Sequence, residues 1–140
     1  MFEPIIEGCV AKNCHPLGCE AAVESQIAYV KACPAYQAPK RVLVLGSSSG
    51  YGLAARISLA FGGGAKTLGV AYERGPTATS IGSAGWHNQM AFDRRAQAAG
   101  LSAESWFADA FLPSTQQQLV DWIRREWGQI DLLVYSLATG

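Results

Sequence analysis

The run Arg41-Val-Leu-Val-Leu-Gly-Ser-Ser-Ser-Gly-Tyr-Gly-Leu-Ala-Ala-Arg56 constrains this chain more than any other stretch. Val42 to Leu45 are continuously apolar, the pattern of a parallel strand buried on both faces. A loop containing Gly46, Gly50 and Gly52 follows, and then a helix-like pattern, so the stretch reads as strand, tight turn and helix. A helix that begins there aims its first amides and the positive end of its dipole beyond the strand, which suits a pyrophosphate. The spacing Gly-x-x-x-Gly-x-Gly differs from the commoner Gly-x-Gly-x-x-Gly; the strand-to-helix context raises it above a bare pattern match. Gly46 is expected where the chain turns sharply, Gly50 where backbone approaches phosphate, and Gly52 where the helix packs close to the strand. Ser47, Ser48 and Ser49 are expected to add hydroxyl donors. A tight turn without a ligand is the plainer alternative, and it needs one glycine more readily than three.

With 140 residues, 49% of them hydrophobic and only 16% charged, the chain fits one ordinary domain with a substantial core. Eleven basic and eleven acidic residues cancel, and no Lys/Arg run exceeds two, which leaves no electrostatic footprint for nucleic acid or an anionic membrane. No apolar stretch approaches the length of a membrane span and no signal-peptide pattern opens the chain, so a cytoplasmic location is expected. The four cysteines read as reduced thiols rather than a disulfide framework.

Along the chain, a short strand is expected over Ile5–Val10, and a helix over Glu20–Cys33 with Val23, Ile27 and Val30 on one face, ended by Pro34. Ala35–Lys40 form a linker into the strand Arg41–Leu45, and the helix after the loop spans about Tyr51 to Phe61, stopping at Gly62-Gly-Gly64. A second strand over Thr67–Tyr72, a loop over Gly75–Gly85, a helix over Trp86–Ala99 and a third strand over Ala103–Ala108 follow. The helix Ser114–Trp127 takes Ser114 as its N-cap, and Asp131–Leu137 make a fourth, strongly apolar strand. Strands alternating with helices predict an α/β fold, a Rossmann-type parallel sheet in the order 3-2-1-4 with flanking helices. The cofactor crevice then lies at the switch between the first and fourth strands. Residues 1–40 read as an N-terminal extension of short strand plus helix, and 41–140 as the N-terminal half of a dinucleotide-binding domain. Such sheets usually continue past a fourth strand, so the fold is expected to be truncated there, as the N-terminal part of a longer polypeptide. In that case the fourth strand presents an unpaired apolar edge.

Glu73 ends the second strand, twenty-one positions after Gly52, where a carboxylate reaches an adenosine ribose diol and repels a 2′-phosphate. That favours NAD(H), while the neighbouring Arg74 keeps NADP(H) open, and a solvated strand-end charge is the plain alternative. Asp109 and Ala110 follow the third strand, placed to accept from an adenine amino group and to pack near the ring; ordinary turn chemistry accounts for Asp109 equally. Ser136-Leu-Ala138 end the fourth strand and border the nicotinamide ribose. Tyr36-x-x-x-Lys40 has the spacing of a dehydrogenase tyrosine and lysine, but it precedes the glycine loop in a proline-bounded linker, out of context. Cys9, Cys14, His15 and Cys19 lack zinc-ligand spacing, and no metal site is assigned. Trp86, Trp106, Trp122 and Trp127 read as core and interface, and His87 as a surface or capping residue.

Several motifs in order carry a family resemblance through nearly the whole chain. They are Cys14-His-Pro-Leu-Gly-Cys19, Gln26-Ile-Ala-Tyr-Val30, the loop Gly46–Gly52, Tyr72-Glu73, Ala84-Gly-Trp86, Asp109-Ala-Phe111 and Tyr135-Ser-Leu-Ala138. Together they resemble the FabV-type trans-2-enoyl-CoA reductases, also described as NADH-dependent enoyl-acyl-carrier-protein reductases of fatty acid biosynthesis. The resemblance implies a considerably longer single-chain oxidoreductase, monomeric when complete, on an elaborated Rossmann fold related to the short-chain dehydrogenases. Its NADH/NAD positions map onto Gly46, Ser47, Ser48, Ser49, Gly50 and Tyr51, onto Tyr72 and Glu73, onto Asp109 and Ala110, and onto Leu137 and Ala138. The substrate implied is an enoyl-CoA or an enoyl-acyl-carrier-protein. The family's catalytic tyrosine and lysine, spaced Tyr-x8-Lys, are expected beyond residue 140, so no catalytic residue is assigned and the chain alone is expected to be inactive. A non-catalytic nucleotide-binding module, or another short-chain dehydrogenase with Tyr-x3-Lys after the fourth strand, are the alternatives.

Overall fold

The computed structural model describes residues 5–8, 10–11 and 13–137. Gly8, at φ 62°, turns the N-terminal stretch back on itself, so the single strand expected over Ile5–Val10 is instead a hairpin. In it, β1 (Ile6–Glu7) pairs antiparallel with β2 (Val10–Ala11). Helix α1 (Pro16–Ala32) starts earlier than its apolar spacing predicts, because His15 caps it: Nδ1 accepts the Gly18 N–H at 3.2 Å, and Pro16 supplies a preset first turn.

The apolar run becomes β3 (Arg41–Leu45), and α2 (Gly50–Ile57) follows the glycine loop. The helix expected to Phe61 stays α-helical only to Ile57; Ser58–Gly62 widen into a π-helical turn whose end is marked by Gly63 N–H reaching back to the Ser58 carbonyl at 3.2 Å. The Tyr36 ring lies where side chains on Gly62 and Gly63 would project. Then come β4 (Lys66–Ala71), α3 (Ala84–Ala98), β5 (Ala103–Phe107), α4 (Pro113–Glu126) and β6 (Leu132–Tyr135). Leu112, not Ser114, holds the N-cap position of α4 and makes no side-chain cap bond. Pro113 explains the difference, since its fixed φ suits the first helical position and draws the helix start forward.

The main sheet runs β5-β4-β3-β6, all parallel, which is the expected 3-2-1-4 order. Alternate residues of β3 feed opposite layers. Val42 and Val44 pack with Ala65 and Leu59, while Leu43 joins Leu68, Val70, Leu119 and Ile123 under α4. On the far side of α2, Val23 and Ile27 of α1 meet Leu53, Ile57 and Phe92, so the N-terminal helix is part of the packed core. Trp122 stands edge-on to Trp106 at 6.1 Å and to Trp127 at 5.1 Å, filling the layer beneath α4. Strand β6 is shorter at both ends than expected, although the Asp131 and Ser136 N–H groups still donate to the Arg41 and Leu45 carbonyls of β3 at 2.8 Å; on one face of it Leu133 and Tyr135 are 49% and 63% exposed. Among the described residues no helix is long and apolar enough to cross a membrane.

Candidate functional site: a cleft at the carboxyl ends of the strands

All four strands of the parallel sheet point their carboxyl ends into one cleft of about 510 Å3. The glycine loop forms its floor. Gly46, at φ 84°, turns out of β3 and donates its N–H to the Val70 carbonyl at 2.8 Å, pulling the loop back across β4. A Cβ on Gly46 would overlap the Ser136 carbonyl, and one on Gly52 would overlap the Gly46 carbonyl. The loop, the end of β6 and the first turn of α2 can approach this closely only with glycine at both positions. Gly50 opens α2 at φ 53°, a backbone that other residues rarely adopt.

Ser49 holds the N-cap position but makes no side-chain bond to the helix, and no acidic residue stands in the first turn. The first amides of α2 are therefore left for solvent or for an anion, with the helix dipole favouring the anion. The geometry fits a pyrophosphate: open backbone donors beside a turn that Gly46 and Gly52 keep clear of Cβ atoms.

Gly46, Ser48, Ser49 and Leu137 line the cleft, as do Tyr72, Glu73, Asp109 and Ala110. Ser47, Gly50 and Tyr51 do not: Ser47 is fully buried, and the Tyr51 side chain is 91% exposed. Ala138 lies outside the described residues. The serine hydroxyls also point elsewhere than expected. Ser47 donates inward to Oε1 of buried Gln89 at 2.6 Å, and Ser48 donates to Oε1 of Glu73 at 2.6 Å, so of the three only Ser49 has an exposed side chain. Asp109 lines the cleft while its Oδ1 accepts the Phe111 N–H at 2.9 Å, so the turn chemistry and the cleft position coexist.

Four groups escaped the sequence reading. Ser83 donates to Oε2 of Glu73 at 2.5 Å and caps α3. A capping serine before a helix was the signal that could have found it. Asn88 Nδ2 donates to the Ser48 carbonyl at 3.0 Å, steadying the loop from α3. Gln89 is fully buried, and its Nε2 finds no hydrogen-bond partner among the described residues. Arg56 is fully buried too. It donates to Thr67 Oγ1, Ser105 Oγ and the Glu104 carbonyl, and lies 4.2 Å above the Phe92 ring. Burial lowers the Arg56 guanidinium to about 10, with Asp93 and Glu104 opposing. Burial likewise pushes the Asp93 carboxyl up.

The discounted pair lies elsewhere. Tyr36 bonds Ser58 Oγ at 3.0 Å, and Lys40 sits at the amino end of the sheet, its carbonyl accepting from Lys66. His87 bonds the Ile81 carbonyl at 2.6 Å and holds the loop before α3, while Trp86 stacks on Phe107 at 6.3 Å. Cys14 turns its thiol toward the Gly82 carbonyl at 3.8 Å; Cys9 lies outside the described residues.

Residues 1–78 match the family model described as the NAD(P)H binding domain of trans-2-enoyl-CoA reductase, and residues 80–140 match the model of that reductase's catalytic region. The chain belongs to the trans-2-enoyl-CoA reductase family. The two family models meet in the loop between β4 and α3, so a single parallel sheet is shared between them. Within the family, the chain is 52% identical over its whole length to enoyl-(acyl-carrier-protein) reductase (NADH) 2 of Photobacterium profundum, of which it spans 36%. The solved Clostridium acetobutulicum trans-2-enoyl-CoA reductase in complex with NADH matches with a TM-score of 0.93 and 44% identity, over 99% of this chain and 35% of that one. The Treponema denticola trans-2-enoyl-CoA reductase in complex with NAD matches with a TM-score of 0.89 and 42% identity, over 99% of this chain and 36% of that one. The chain thus spans little more than a third of the relatives it matches.

Proposed function

We propose that this chain is the NADH-binding part of an enoyl-thioester reductase that reduces the trans-2 carbon–carbon double bond of enoyl-CoA or enoyl-acyl-carrier-protein in fatty acid biosynthesis. The observation that carries the reading is the placement of Glu73 in the same cleft as the glycine loop, at the carboxyl end of the adjacent strand. That is the geometry of a carboxylate receiving a ribose diol while a pyrophosphate rests on the helix start. The loop from Gly46 to Tyr51 and the first amides of α2 hold the pyrophosphate, with Ser47 acting from behind through Gln89. Tyr72 and Glu73 take the adenosine ribose, Asp109 and Ala110 border the adenine, and Leu137 with Ala138 borders the nicotinamide ribose.

The chemistry the bound cofactor supplies is a hydride for C3 of the enoyl thioester. The residues described here bind and orient it. The tyrosine and lysine that would stabilise the enolate oxygen belong, on this reading, to the longer family protein, which is monomeric and cytoplasmic. Glu73 sets the preference for NADH, because its charge faces the position of a 2′-phosphate.

Two measurements on the 140-residue chain test the reading. Titration with NADH, followed by nicotinamide fluorescence, is expected to saturate, and NADPH is expected to bind more weakly. Crotonyl-CoA with NADH is expected to show no turnover above the protein-free rate. NADPH binding as tightly as NADH would remove the role given to Glu73, and turnover would place catalytic groups within these residues.

A further inference from the structure

The Glu73 carboxylate is gripped from both sides. Ser48 donates to Oε1 at 2.6 Å from the glycine loop, and Ser83 donates to Oε2 at 2.5 Å from the start of α3. Ser83 is itself locked in place. Its N–H donates to the Arg74 carbonyl at 2.9 Å, and its hydroxyl oxygen accepts from the Arg74 N–H and the Trp86 N–H, each at 3.3 Å. Gly85 completes the grip, since a Cβ there would overlap the Glu73 carboxylate, so the first turn of α3 lies against it.

Charge repulsion discriminates against a phosphate only while the charge stays where the phosphate would sit. A glutamate at the end of a strand ordinarily has rotamer freedom and can swing toward solvent when a second anion approaches. Here two hydroxyls and a glycine backbone oppose that swing. Exposed Arg74 stands next in sequence, a cation that would attract a phosphate if Glu73 gave way.

We propose that Ser83, outside the glycine loop, is a positioning residue for cofactor specificity: its hydroxyl holds the Glu73 carboxylate in the cleft, so that a 2′-phosphorylated adenosine ribose is excluded. The proposal rests on the NADH reading above. One acceptor site on each carboxylate oxygen remains for the two ribose hydroxyls once the serines are counted.

The test compares dissociation constants of NADH and NADPH for the wild-type chain, S83G and S83T, with thermal unfolding recorded alongside. Glycine is nearly as good an N-cap as serine, so S83G removes the hydroxyl while sparing the helix start. The NADPH-to-NADH ratio of dissociation constants is expected to fall roughly tenfold in S83G, the lower end of what a hydrogen bond to a charged group is worth. S83T, which keeps a hydroxyl, is expected to restore it. An unchanged ratio in S83G, or equal weakening of both dinucleotides, overturns the proposal. Should S83G fail to fold, S48A removes the opposite hydroxyl; a ratio unmoved there overturns it as well. A wild-type chain that binds neither dinucleotide is a different failure, that of the NADH reading itself, and the clamp falls with it.

Discussion

Arg56 carries its charge where water does not reach, and everything around it answers that cost. Three hydrogen bonds, the Phe92 ring and Asp93 at 3.8 Å surround the guanidinium. Removing it leaves Thr67, Ser105 and the Glu104 carbonyl without their donor, so Arg56→Ala is expected to destabilise the fold by about 3 kcal/mol, measured by urea unfolding. Arg56→Lys is expected to recover only part, because a single ammonium cannot reproduce the fork of donors. Glu73→Ala is expected to narrow the NADH-over-NADPH preference by on the order of 1–3 kcal/mol, read from paired titrations. At this scale the sequence was only half legible. The glycines announced their places because sharp turns and close approaches admit little else. The directions of Ser47 and Ser48 were hidden, since their partners Gln89 and Glu73 arrive from other elements, 42 and 25 residues away.

Among the elements, β3 and β6 are tied at their amino ends by Arg41 and Asp131. The guanidinium grips both carboxylate oxygens, at 3.0 and 2.9 Å, and reaches the Trp127 carbonyl at 2.9 Å. The hydrogen bonds from Arg41 hold the Asp131 carboxyl at about 2, below its ordinary 3.8. A depressed carboxyl stabilises the fold above its unfolded value and loses that contribution as pH falls through its folded value. Asp131→Asn is therefore expected to be less stable than wild type at neutral pH, with the gap closing between pH 3.8 and about 2 in thermal melts across that range. The exposed face of β6 carries a second prediction. Among the described residues β6 ends the sheet with Leu133 and Tyr135 exposed, an invitation to pairing between copies of the 140-residue chain, so Leu133→Lys is expected to reduce its concentration-dependent self-association in sedimentation velocity. The order of the four parallel strands was legible because strands alternate with helices along the chain and right-handed crossovers leave few arrangements open. The π-helical turn and the N-terminal hairpin were not, because tertiary packing of Tyr36 and a single positive-φ glycine decide them.

Taken whole, the molecule is a parallel sheet that gathers the cleft residues at its carboxyl end and leaves an apolar groove of about 450 Å3 along β6 and α4, lined by Leu45, Leu119, Ile123 and Tyr135 among others. Its cleft brings together the glycine loop, the Glu73 carboxylate and Ala110, with the end of β6 along the remaining side. On the function proposed above, NADH binds in this cleft and not in the groove. Amide chemical shifts of the isotopically labelled 140-residue chain, followed through an NADH titration, test it most directly. Saturable shifts are expected, concentrated at Gly46–Gly52, Tyr72–Glu73, Asp109–Ala110 and Leu137. Shifts gathered instead around Leu119, Ile123 and Tyr135, or none at saturating NADH, would contradict it.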